Sequence, residues 1–170
     1  MTETRLRPLP RTEATSWHAE TIRHVDLDSN NHVNNTVICT WFDDGRYTFI
    51  RATLAPLMEA GDYPVLASVR VDFLTEVLFE NRPEVATRPV AMGRSSVTME
   101  QTLYLGDNPA AVCHSTMVLV SGATRRARPL TGPMRAALLS LMPGTGLRPF
   151  PESEPRAASQ VPRDAAWTSG

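Results

Sequence analysis

Apolar and polar residues alternate in two rhythms along this chain. Val65, Ala67, Val69, Val71, Phe73, Val77 and Phe79 interleave with Ser68, Arg70, Asp72, Glu76 and Glu80, the period-two pattern of a half-buried strand. Val97, Met99, Leu103 and Leu105 alternate again, and Gly106 to Pro109 turn the chain into Ala110 to Val120. That last run is apolar on both faces, which predicts a central strand covered on each side. Val85 to Met92 reads as a weaker strand, because Pro89 within it lacks an amide donor and predicts an edge or a bulge.

The second rhythm is helical. Val37, Ile38, Trp41, Phe42, Phe49 and Ile50 recur at three- and four-residue spacing from Asn34 onward, which predicts one long helix with one buried face. Asn34 or Asn35 can cap its first turn. Gly45 in mid-helix costs about 1 kcal/mol relative to alanine, so its missing side chain predicts close packing against a sheet. Upstream, Trp17 to Leu27 predicts a first strand and Asp28 to Asn31 a polar loop. Downstream, Thr131, Gly132 and Pro133 open a short helix over Met134 to Leu141, which Pro143 stops. These elements place one domain over residues 17–142, preceded by a flexible extension at 1–16. Residues 143–170 hold five of the 14 prolines and only scattered apolar residues, so a disordered tail is expected there.

Charge narrows the chemistry. All 17 basic side chains are arginine, and no lysine occurs. A P-loop nucleotide site, a pyridoxal phosphate enzyme and a Schiff-base aldolase each need a lysine, so the chain's own chemistry falls outside those classes. The net charge of -1 comes without long like-charged blocks, which argues against a nucleic-acid partner. No apolar run exceeds four residues, so no membrane span or secretory core is expected and the chain reads as cytoplasmic. Cys39 and Cys113 sit among apolar neighbours and read as buried free thiols. The histidines and cysteines show no metal-ligand spacing, and no G-x-S-x-G elbow is present. Arg125, Arg126 and Arg128 form the one tight basic cluster, suited to substrate phosphates or an acidic carrier protein.

The order strand, polar loop, long helix and four strands resembles the hotdog fold, an α+β architecture in which an antiparallel sheet wraps one central helix. The resemblance is specific at Val25 to Asn35, VDLDSNNHVNN, followed by TVICTWFDDGRYTFI. This stretch resembles the D-x-D-x-x-G-H-V-N-N signature of the 4-hydroxybenzoyl-CoA thioesterase-like family, and still more the D-L-D-x-N-Q-H-V-N-N stretch of plant acyl-ACP thioesterases. It implies an enzyme that hydrolyses an acyl-CoA or acyl-carrier-protein thioester, with no metal or redox cofactor.

Such a reaction needs a group to activate water or attack the carbonyl, and donors for the developing oxyanion. Asp28 can serve as general base or nucleophile. Backbone amides near Asn34 and Asn35, at the positive end of the helix, can hold the thioester oxygen. The acyl-ACP-type match adds Asn30, His32 and Glu76 to the catalytic group. Where many family members have glycine stands Asn31, a residue that tolerates a left-handed backbone. Asp26 reads as holding the loop, and Asp44 on the helix is a reserve carboxylate. One sheet around one helix leaves edges exposed, so a homodimer or homotetramer with a shared site is expected. A non-catalytic hotdog binding module and a hotdog 3-hydroxyacyl-thioester dehydratase are the alternative readings.

Overall fold

The computed structural model describes residues 5–143. Its five strands are β1 (Ser16–Ala19), β2 (Tyr63–Phe73), β3 (Pro83–Met92), β4 (Ser96–Leu105) and β5 (Asn108–Val120). They form one antiparallel sheet in the order β1-β3-β4-β5-β2. The long helix α1 (Asn35–Thr53) lies on one face, and the short helix α2 (Gly132–Leu141) closes one end. This is the expected hotdog arrangement, with β2 as a bare edge.

Helix α1 buries Ile38, Trp41, Phe42, Gly45, Arg46, Phe49 and Ile50. Its first half packs on Val85, Leu103, Ala111 and Cys113. Its second half meets Val97, Met99, Met117 and, from α2, Met134 and Leu138. Each fully buried aliphatic or aromatic side chain of this kind contributes about 1.5–3 kcal/mol. Gly45 packs as expected: a Cβ there would stand 2.6 Å from Val85 Cγ1 and 3.0 Å from Gln101 Nε2. Pro89 lies beyond Thr87, where β1 pairing stops, and beside a register shift with β4, so it is both at a bare edge and at a bulge.

Four expectations need correction. The first strand runs only to Ala19, because its partner β3 begins at Pro83, whose carbonyl takes the Glu20 amide at 2.9 Å as the last bond between them. The strand expected through Phe79 ends at Phe73: Leu74 and Thr75 both donate to Ala110 O, at 2.9 and 3.1 Å, and the chain leaves the sheet. Cys113 is buried but Cys39 is exposed, since one residue past Ile38 turns roughly 100° off the buried stripe. Of the segment before residue 17, expected to be flexible, the described residues from 5 onward form a strap across the outer face of the sheet. There Leu9 is 1% exposed against Ala86 and Tyr104, its amide donates to Thr102 Oγ1 at 2.8 Å, and its carbonyl accepts from Tyr104 Oη at 2.6 Å. The Leu6 amide reaches Asp72 Oδ2 on β2 at 2.8 Å. The Arg11 guanidinium lies 4.3 Å from the Trp17 ring centre and 5.0 Å from that of Tyr104. The strap thereby takes Ala86 and Tyr104 on the outer face out of water, while Trp17 beside them stays partly exposed. The proline-rich tail expected over 143–170 lies outside the described residues apart from Pro143.

Candidate active site

The polar loop is closed by its own backbone. The Asp28 amide donates to His32 O at 2.8 Å, and Asn31 N to Asp28 O at 3.1 Å. Asn31 takes φ 60°, the left-handed conformation in which asparagine is tolerated. Inside this turn, Asp28 Oδ1 accepts from the amides of Asn30 (2.8 Å) and His32 (3.2 Å). Its other oxygen, Oδ2, has no hydrogen bond among the described residues, and Asp28 lines a cleft of about 330 Å³.

Two residues earlier, Asp26 has a different fate. It is 2% exposed and grips Arg23 through Oδ1 at 2.7 Å and Oδ2 at 3.2 Å, while Oδ2 also accepts the Arg23 amide at 2.7 Å. Hydrogen bonds from Arg23 outweigh desolvation and hold its carboxyl below the ordinary aspartate value. Its carbonyl accepts from Asn34 N at 2.8 Å. Asp26 is therefore the anchor of the loop, as expected.

Asn34 caps α1. Its Oδ1 accepts from Thr36 N at 2.9 Å and Thr36 Oγ1 at 2.8 Å, and its carbonyl takes the amides of Val37 and Ile38. Among the described residues, these bonds leave the Asn35 amide as the free donor of the first turn. Asn35 lines the same cleft as Asp28.

The far wall is the segment that leaves β2. Val33 N donates to Val77 O at 2.8 Å, His32 bridges to Leu78, and Leu78 N is held by Asn81 Oδ1 at 2.7 Å. This backbone splice carries Glu76 over the loop, where its Oε2 lies 3.0 Å from His32 Nε2. The chain thus joins Glu76 to His32 by turning out of the strand that had been expected to hold it.

The cleft gathers Asp28, His32, Asn35 and Glu76, with Ile38 and Phe73 as its apolar sides. Asn30 contributes its amide to Asp28 from the exposed rim, and Asn34 acts through the cap. A carboxylate oxygen without a bond, an imidazole fixed by a carboxylate and a free helix-start amide can together accept a proton, orient a water and bind a carbonyl oxygen.

Other candidates lie elsewhere. Asp44 faces a separate hollow beside Ala19, Glu20 and Asp26. Arg125, Arg126 and Arg128 stand at the Tyr63 end of β2, since β5 pairs Val120 with Tyr63 and Ala111 with Phe73. That end is ~33 Å from the cleft at the usual strand rise. Arg128 is paired with Glu59 and, at 3.1 Å, with Asp62. Arg125 has φ 57° and lies over the Tyr63 ring at 5.7 Å.

One buried charged residue escaped the sequence reading. Arg46 is 3% exposed, with its guanidinium on Gln101 Oε1 (3.1 Å), Cys113 Sγ (3.8 Å) and Asp43 Oδ1 (2.8 Å). Burial pushes the Cys113 thiol up to about 12 despite this neighbour. The signal was its position: residue 46 falls four after Phe42 and three before Phe49, on the apolar stripe.

A family model described as thioesterase-like superfamily matches residues 22–139. Among solved structures, the chain is similar to a protein from Pseudomonas aeruginosa, with TM-score 0.70 and 25% identity over 82% of this chain and 99% of that one. It is also similar to a thioesterase from Thermus thermophilus crystallised with coenzyme A and zinc, with TM-score 0.68 and 28% identity over 76% of this chain and 95% of that one. A predicted thioesterase from Bacillus stearothermophilus aligns at TM-score 0.68 and 22% identity, over 75% of this chain and 96% of that one, which is a likeness of fold. No curated protein shows significant similarity to the chain. No helix among the described residues is long and apolar enough to cross a membrane.

Proposed function

Because the chain belongs to the thioesterase-like superfamily, we propose that it hydrolyses an acyl-CoA thioester to the free acid and the thiol. The observation that carries this reading is the convergence of Asp28, His32, Asn35 and Glu76 on one cleft. The thioester oxygen accepts from the Asn35 amide, where the helix dipole favours developing negative charge. Asp28 Oδ2 either takes a proton from the attacking water or attacks the carbonyl itself. His32, oriented by Glu76, positions the water and the carbonyl. With Asp28 as base, water adds to the thioester carbonyl, the C–S bond breaks and the sulfur leaves as thiol with the proton Asp28 took. With Asp28 as nucleophile, its oxygen displaces the thiolate, which takes up a proton, and water then splits the mixed anhydride to the free acid and Asp28.

A second copy completes the site. Edge strand β2 exposes Val65, Leu66, Val69 and Phe73, an unpaired row that favours association. Antiparallel pairing of two β2 strands about a two-fold axis sets the Tyr63 end of one copy beside the Phe73 end of the other. The second copy's Arg125 and Arg126 then stand by the cleft, where guanidinium forks suit the CoA phosphates.

The test is release of free thiol from a panel of acyl-CoA esters by wild-type protein and by Asp28→Asn. Release by wild type alone supports the reading. No release from any ester, or equal release by the variant, overturns it. Faster turnover of the same acyl groups on acyl-carrier protein would replace CoA as the carrier. A monomer by sedimentation would overturn the shared site.

A further inference from the structure

A groove of about 600 Å³ runs beside β2 along α1, one turn past the cleft, and is lined by Cys39, Asp43, Arg46, Ile50, Leu66 and Met117. Among the described residues its only charged lining groups, Asp43 and Arg46, pair with each other at 2.8 Å, so the walls offer no unbalanced charge to a ligand. Thr40, Asp43, Tyr47 and Leu66 stand at the exposed rim, the Arg46 guanidinium is buried in the wall, and Ile50 and Met117 form the apolar floor. Such a lining matches an uncharged aliphatic chain.

Met117 forms part of the groove's inner wall. Behind it lies an apolar pocket walled by Ile50, Leu54, Met58, Val97, Leu130 and Met134, holding only about 10 Å³ of free space, barely one water. Ile50, Pro64 and Met117 line both spaces. Met117 is 7% exposed and is an unbranched side chain with three rotatable bonds, the kind that fills irregular gaps.

We propose that Met117 is the end wall of the acyl compartment, so that the protein selects an unsubstituted aliphatic acyl group by length and Met117 sets the limit. The proposal rests on the hydrolase reading above, with the acyl tail leaving the cleft along α1 towards Ile50. Removing the side chain of Met117 joins the groove to the packed space beneath α2. Enlarging it shortens the groove.

The experiment measures kcat/KM over a series of straight-chain acyl-CoA esters for wild type, Met117→Ala and Met117→Phe. In Met117→Ala the preferred chain lengthens by about two to three methylenes, each worth roughly 10-fold or more in discrimination, whereas Met117→Phe shifts preference to shorter chains. Met134→Ala alone, on the far side of the closed pocket, leaves the profile unchanged, yet lengthens it further when added to Met117→Ala. If Met117→Ala does not fold, the Met117→Phe profile decides. Active variants with the wild-type length profile overturn the proposal, and so does a profile moved equally by Met134→Ala alone. An unmoved profile together with altered sedimentation assigns the groove to a second copy of the chain. Failure of wild type to hydrolyse any ester strikes the hydrolase reading instead.

Discussion

The two ends of β2 carry clusters of charge that look alike in sequence and behave differently in space. At the Phe73 end, Asp28 binds two amides through Oδ1 and faces a cleft with the other oxygen. At the Tyr63 end, Arg128 is consumed by Glu59 and by Asp62, whose side chain is 3% exposed. Of the three arginines there, only Arg125 and Arg126 remain exposed. A charged residue is available for chemistry where its neighbours leave a lone pair or donor unbonded, and that depends on the elements around it rather than on clustering in the chain.

Asp28→Asn tests this contrast most severely. Asparagine keeps an acceptor for the Asn30 and His32 amides but loses the charge, so kcat should fall by about 10²- to 10⁴-fold with an unchanged melting curve. A fall in stability without a fall in kcat would make this end as structural as the other. Glu76→Gln should lower kcat by roughly 10-fold, a fraction of a full acid–base contribution, and alter the pH–rate profile. At the Tyr63 end, Arg125→Gln with Arg126→Gln should raise KM several-fold at constant kcat. Arg128→Gln should leave KM alone and cost about 1–3 kcal/mol in urea unfolding, because the buried Asp62 carboxylate loses its arginine and keeps only the Gly122 amide, at 3.4 Å.

The smallest effect concerns Asp26, the anchor beside the cleft. Its carboxyl is held below its unfolded value by hydrogen bonds from Arg23, so its contribution is complete above the ordinary aspartate range and lost as pH falls through the lowered value. The stability gap between wild type and Asp26→Asn should therefore be full at pH 7 and shrink below about pH 4. A gap constant across that window would mean the loop is held by packing instead.

Local rules made much of this legible. The α1 stripe, the Asn34 cap, the left-handed Asn31 and the close approach at Gly45 each follow from residue type and spacing. Partnerships between distant residues did not. Glu76 meets His32 only because Ala110 O ends β2 by taking two amides, and nothing between residues 65 and 79 announces that exit. Arg46 falls on the apolar stripe, but its partners Gln101 and Cys113 come from two later strands. The strap is held by Thr102, Tyr104 and Asp72, so its own proline-bearing sequence reads as loose.

Strand order also sets a schedule. Although β2 precedes β3, it pairs with β5, placing Tyr63 opposite Val120. On a ribosome adding about 5–20 residues per second, the start of β2 waits roughly 3–11 s for its partner to be made. Until then Val65, Leu66 and Val69 form a strand with both edges open. The wall that carries Glu76 cannot be fixed before β5 exists, so the cleft is among the last parts of the molecule to form during synthesis. Newborn chains are most vulnerable to self-association in that interval.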